Sequence, residues 1–185
     1  FDYMNLTNGQ QLIRSIEPEA KVVIDQITYK VGGLSGQKEK AYLQIDQIKN
    51  LQKADSDFVF SKYTIGKIEP FIKWKPTTWL GKAKQPTGAR IDFEYVSPIA
   101  ALKNIIIKVH YEIYDGIPLI TKWISIQNNS NKSIKINRVV NEVLGLVEEE
   151  SAVVGKPEEM KKQHGIYVET NYAFNNAMRY DISDQ

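Results

Sequence analysis

The sequence predicts an all-β fold, a β-sandwich of antiparallel strands with at most one short helix. Three observations carry this expectation. From Asn104 to Ile136 the chain reads NIIIKVHYEIYDGIPLITKWISIQNNSNKSIKI. In it Ile105, Ile107, Val109, Tyr111 and Ile113 recur at a spacing of two while Lys108, His110 and Glu112 occupy the other parity, as in a half-buried strand. Second, Asp115-Gly116 sits where a tight hairpin needs positive φ, and Gly supplies one such dihedral without steric cost. A second strand from Leu119 to Gln127 and a polar turn from Asn128 to Ser133 complete an expected β-meander. Third, alternating runs bounded by turn residues recur along the chain, roughly eight to ten in all, and at this length a sandwich is favoured over a small barrel.

Each element follows from local pattern. Residues 1–20 mix polar positions with Leu12, Ile13 and Ile16, and Pro18 stops any long helix, so an edge strand or lead-in is expected. Lys21 to Val31 reads as one strand, apolar at Val23, Ile27, Tyr29 and Val31, with Asp25 the exception and Gly32-Gly33 closing it. LSGQKEK at 34–40 is a polar loop. Ala41 to Leu51 suits strand or short helix on periodicity alone, with strand favoured. KADSD at 53–57 is a turn before the aromatic and β-branched run from Phe58 to Ile65. Between Gly66 and Gly88 come Pro70, Pro76 and Pro86 together with Trp74 and Trp79, a long shaped loop rather than a ladder-forming strand. Arg90 to Val96 alternates again, with Ile91, Phe93 and Tyr95 inward and Arg90, Asp92 and Glu94 outward, until Ser97-Pro98 ends it. Beyond Ile136 the alternation continues through Val140, Leu144 and Leu146, with Glu142 on the same parity. Pro157 to Lys162 can form one or two helical turns, with Pro at the favoured first position. Gly165 to Phe174 is the last expected strand.

Composition bounds the function classes. The 185 residues suffice to bury a core and are expected to form one domain, residues 1–185. The chain begins at Phe1 rather than Met and is expected to be a piece of something longer. Its 24 Lys and Arg face 22 Asp and Glu, and the net charge of +2 is spread along the chain. No nucleic-acid footprint is implied. No apolar run approaches the ~20 residues of a membrane span. The chain has no cysteine, which removes disulfides, thiolate nucleophiles and zinc-thiolate sites.

Two groups of residues could carry chemistry. His110 and Glu112, two apart on the polar face of one strand, form a His-carboxylate pair suited to general acid-base work near neutral pH. The alternative is that both simply line a solvated face. Trp74 and Trp79, in the Pro-rich loop, are candidate ligand-binding residues, because large amphipathic rings stack on sugars or anchor interfaces. Trp123 belongs to the same aromatic inventory, but reads first as a core residue or an inter-sheet contact. Gly32 to Gly36 lacks the following helix of a phosphate cradle. Glu148 to Glu150 lacks the alternating oxygen ligands and glycine of a calcium loop. With only His110 and His164 in the chain, no histidine-rich metal site is expected, and nothing calls for a cofactor.

One further pattern concerns family. Tyr111-Glu112-Ile113-Tyr114, Asp115-Gly116-Ile117-Pro118, Lys122-Trp123 and Asn128-Asn129 follow one another within His110 to Leu144. Trp79 and Gly88 precede them, and Val168 to Phe174 follows. This series, spanning about 80–175, resembles the N-terminal galactose-mutarotase-like β-supersandwich of family-36-type alpha-galactosidases and related bacterial glycoside hydrolases. In that family the catalytic aspartates belong to a following (β/α)₈ barrel, which this chain does not contain. The resemblance therefore implies a supersandwich-like, non-catalytic accessory domain that supports or contributes to glycan binding. A carbohydrate and a following catalytic domain are the implied partners, and a periplasmic or extracellular location is the implied setting. Two alternatives stand beside it: a mutarotase-like enzyme using His110 and Glu112, and a purely structural or adhesion module.

Overall fold

The computed structural model describes residues 2–5, 10–14, 18–33, 54–69 and 86–142. The chain divides into two compact units, one of Phe1–Pro18, Gly33–Lys53 and Val143–Gln185, the other of Glu19–Gly32 and Ala54–Glu142. Within the first, β1 (Asp2–Asn5) and β2 (Gln10–Arg14) pair as an antiparallel hairpin. The strands expected at Ala41 to Leu51 and Gly165 to Phe174 and the short helix expected near Pro157 lie outside the described residues.

The second unit is the all-β sandwich that the alternation predicts. Among the described residues its strands are β3 (Ala20–Ile24), β4 (Ile27–Val31), β5 (Val59–Lys67), β6 (Gly88–Val96), β7 (Ile105–Tyr114), β8 (Ile117–Asn128) and β9 (Ile136–Val140). They form an antiparallel three-stranded sheet, β4-β3-β9, and an antiparallel four-stranded sheet, β5-β6-β7-β8. A 3₁₀ turn at Ala100–Leu102 follows Ser97-Pro98.

The inner faces supply the core. Val22, Ile24 and Val31 from the smaller sheet meet Ile105, Ile107 and Val109 from β7, and Phe58 is sealed among them. Each such side chain contributes about 1.5–3 kcal/mol on burial. Phe60, Tyr95, Phe93 and Tyr111 add a chain of edge-to-face contacts along the inner face, with centroids 6.0–6.3 Å apart. Of the turn expected at 53–57, the described residues 54–57 form a turn. The backbone N–H of Asp57 bonds Ala54 O, and the buried Asp57 carboxylate accepts from the N–H groups of Lys30 and Ala54 at 2.8 and 3.1 Å.

Three expectations are corrected. Lys21 to Val31 is not one strand but a hairpin, because Asp25 and Gln26 both take positive φ (47° and 69°) and let Ile24 pair with Ile27. Asn137 Oδ1 accepts from Gln26 N, and Asp25 N donates to Lys135 O, which secures a turn that has no glycine. The three strands from Asn104 onward are not a meander within one sheet. β7 and β8 pair as predicted around Gly116 (φ 71°), but β9 pairs with β3 in the other sheet. The polar loop makes that crossing, with Asn128 Oδ1 accepting from Ser130 N and Oγ while its Nδ2 donates to Lys132 O.

The third correction concerns the end of β7. Its alternation holds through Val109 and then fails: Ile113 is 55% exposed, and Glu112, expected on the solvated side, is 2% exposed. The strand has run beyond the level at which Glu19 meets its inner face at Tyr111. Its outer face is meanwhile covered by Glu69, whose backbone N–H reaches Glu112 Oε1 at 3.3 Å.

Candidate functional site

Antiparallel register places the outer face of the four-stranded sheet in three lateral rows. Lys62, Glu94, Lys108 and Ser125 lie across one row, Thr64, Asp92, His110 and Trp123 across the next, and Gly66, Arg90, Glu112 and Thr121 across the third. Directly opposed side chains sit close enough to interact. The Glu94 carboxylate lies between two ammonium groups, 3.6 Å from Lys62 and 3.6 Å from Lys108. A shallow depression opens among Lys62, Thr64, Asp92, Glu94 and Lys108.

His110 is the hub of the middle row. Its Nδ1 lies 2.6 Å from Asp92 Oδ1, its Nε2 lies 2.8 Å from Ser125 Oγ, and its ring stacks on Trp123 at 4.9 Å and 13°. An ionised carboxylate only accepts, so Asp92 requires the proton on Nδ1. The lone pair of the neutral ring is then on Nε2, where the Ser125 hydroxyl donates. Arg90 Nε faces the same Asp92 oxygen at 3.2 Å, and Arg90 Nη1 donates to Glu69 Oε2 at 3.0 Å.

Glu112 is engaged elsewhere. Its Oε2 accepts from Tyr114 Oη at 2.7 Å, and Tyr114 Oη lies 3.1 Å from Thr121 Oγ1. Burial raises the Tyr114 phenol above its ordinary value; the Thr121 hydrogen bond opposes this and the Glu112 carboxylate adds to it. The carboxylate partner of His110 is thus Asp92 from the neighbouring strand, not Glu112 two residues along its own.

A second polar cluster closes one end of the inner face. Lys122 Nζ donates to Glu142 Oε2 and to the Glu19 carbonyl, both at 2.6 Å, and lies 3.4 Å from Glu19 Oε2. Tyr111 Oη donates to Glu19 Oε2, and the Lys122 ammonium sits 5.4 Å from the Tyr111 ring centroid. Burial, reinforced by the negative charge of Glu19, pushes the Tyr111 phenol far above its ordinary value and raises Tyr95 to about 12.

Of the residues singled out in sequence, Trp74 and Trp79 lie outside the described residues. Trp123 is not in the core: it is half-buried on the outer face, against His110. Asp92 and Ser125 were missed as partners of His110. The available signal was lateral register, since Asp92 stands directly across from His110 and Lys108 directly across from Ser125. Among the described residues no cluster of three or more His, Cys, Asp or Glu could hold a metal ion, and no helix is long and apolar enough to cross a membrane. No family model matches the chain, and neither a curated protein nor a solved structure is significantly similar to it.

Proposed function

We propose that the chain is an accessory β-sandwich domain of a carbohydrate-active bacterial protein, contributing to glycan binding and cleaving no glycosidic bond itself. The observation that carries this reading is the outer face of the four-stranded sheet, where Trp123 stands beside rows of hydrogen-bonding side chains from Lys62 to Ser125. Sugars are recognised by aromatic surface together with a few fixed polar groups. Glycosidic cleavage needs two carboxyl groups free to act on one bond. The carboxylates of this face are committed instead: Asp92 to His110 and Arg90, Glu94 between two lysines, Glu112 to Tyr114 and the Glu69 amide. Trp74 and Trp79 are proposed as further glycan-contacting residues on the chemistry of their rings alone, and a following catalytic domain outside the cytoplasm is the partner the chain would serve.

Mutarotase-like epimerisation by His110 and Glu112 is the weaker reading, because the two side chains bond to different partners on different strands. A pure structural or adhesion role predicts no sugar binding at all. Titration of the chain with galactose-containing oligosaccharides, followed by tryptophan fluorescence, separates these. Saturable binding weakened at least tenfold by Trp123→Ala, Trp74→Ala or Trp79→Ala is the expected result. Release of sugar from an aryl galactoside by the chain, or binding indifferent to all three substitutions, overturns the proposal.

A further inference from the structure

Asp92, His110 and Ser125 come from three adjacent strands, β6, β7 and β8, and are joined in series: carboxylate to Nδ1 at 2.6 Å, Nε2 to hydroxyl at 2.8 Å. A serine is a weak nucleophile until a base takes its proton, and a base works best when a third group fixes its tautomer and orientation. Here Asp92 fixes the proton on Nδ1, and stacking on Trp123 fixes the plane of the ring. The His110 and Asp92 side chains are only 12% and 15% exposed, whereas Ser125 is exposed at the surface. The base is sheltered and the nucleophile faces the solvent from which a substrate would arrive.

We propose that Asp92, His110 and Ser125 form a nucleophilic relay that hydrolyses short-chain carboxylic esters, with Ser125 Oγ carrying the acyl group. Ser125 Oγ attacks the ester carbonyl carbon as its proton passes to His110 Nε2. The carbon–alkoxide bond breaks, and the same proton leaves with the alcohol. Water then attacks the acyl carbon, giving a proton to Nε2. The Oγ–carbon bond breaks, the proton returns to Oγ, and the carboxylic acid departs. Water is the only co-reactant.

Two neighbours define the substrate. Lys108 is the direct cross-strand partner of Ser125 and is held only loosely, 3.6 Å from Glu94, so its ammonium is the cation placed to meet the oxyanion. Trp123, two residues from Ser125 on the same face, gives an apolar wall for a small acyl chain. Ser125 is exposed at the surface, beside a small depression, which favours acetyl-sized groups over long chains. This activity goes beyond the accessory role and does not depend on it: glycan titration and ester turnover are independent readouts.

The test uses the whole chain and an alkyl fluorophosphonate, which forms a phosphorus–Oγ bond and loses fluoride at an activated serine. Peptide mapping should place the adduct on Ser125. Asp92→Asn and His110→Gln should each slow its formation at least tenfold, and Lys108→Met should slow hydrolysis of an aryl acetate. Ser125→Ala, which removes one exposed hydroxyl, should abolish the adduct and lower aryl acetate turnover at least tenfold in a protein whose circular dichroism is unchanged. A folded wild-type chain with no adduct on Ser125 overturns the proposal, as does labelling at an equal rate in Asp92→Asn and His110→Gln.

Discussion

The Lys122 ammonium lies 2.6 Å from Glu142 Oε2 on the inner side of the four-stranded sheet, where alternation calls for an apolar residue. Lys122 stands directly across from Tyr111, and the Glu19 carbonyl and carboxylate complete its surroundings. One cation therefore ties β8 to segments flanking β3 and β9, the two strands paired at the centre and edge of the smaller sheet. With the Lys122 side chain only 10% exposed, Lys122→Met removes the charge that compensates two carboxylates. Breaking a buried pair from one side costs about 3–5 kcal/mol, and the carboxylates here retain enough solvent to bring that to roughly 2–3 kcal/mol. Urea unfolding should show that loss, and Lys122→Met combined with Glu142→Gln should recover part of it. A single variant as stable as the wild type would show that the cluster adds nothing to stability.

The same end of the core makes the fold sensitive to alkali. Burial, then the charge of Glu19, raises Tyr95 from 10.0 to about 12, and Tyr111 is raised by the same two causes. A raised phenol pKa means that the native state keeps a proton which the unfolded chain has already lost. Stability is thus fully present below pH 10 and declines between pH 10 and 12, by roughly 2 kcal/mol from Tyr95 alone. The tyrosinate absorbance of Tyr95 and Tyr111 should accordingly appear only above pH 10 and together with unfolding. Tyr111→Phe should flatten the decline. Ionisation of all tyrosines near pH 10 without loss of structure would contradict it.

What the sequence revealed, and what it hid, follows from the range of each interaction. β6 and β7 were legible because one face is sealed against the smaller sheet, so Tyr95, Ile105, Ile107 and Val109 had to alternate with polar neighbours. The Asp25-Gln26 turn was hidden because both of its left-handed residues lack the usual glycine. The crossing of β9 to β3 was hidden because hairpin grammar is local, while the bonds that bind the turn to β9 span about 110 residues. His110 stands out in the sequence as a candidate, but its partners lie 18 and 15 residues away and are set by strand register rather than by spacing along one strand. Glu112 misled for a related reason: periodicity assigns a face, and the segment at Glu69 that covers that face is remote in sequence.

Asp57 offers a cleaner test of a single side chain. It is 3% exposed, and its two oxygens accept from the Lys30 and Ala54 amides, joining the turn before β5 to the outer edge of β4. Beside it Phe58 N donates to Lys30 O, so this side chain and the Phe58 backbone seat the fully buried Phe58 ring together. Asp57→Ala leaves two amides without their acceptor and should cost about 1–3 kcal/mol. Asp57→Asn keeps one carbonyl oxygen and should cost less. Thermal unfolding of the two variants checks the order, and equal midpoints would mean that water replaces both bonds without penalty.

Gly88 opens β6 opposite Tyr114, and here it is close approach that requires glycine. A Cβ at this position would lie 2.0 Å from the Ile113 carbonyl oxygen and 2.6 Å from Ile68 Cδ1. The isoleucine methyl can move, but the carbonyl belongs to the backbone of β7 just before its bulge between Ile113 and Tyr114. Gly88→Ala must therefore displace the paired strands, at a cost typical of overpacking, about 1–3 kcal/mol. The disturbance should reach Glu112, whose neighbours on both sides of Ile113 hold the end of the hairpin. Hydrogen exchange should show faster exchange at Tyr114 and Asp115, with Ile105 to Val109 still protected. A Gly88→Ala variant with wild-type stability and unchanged exchange would show that the two strands separate there without cost.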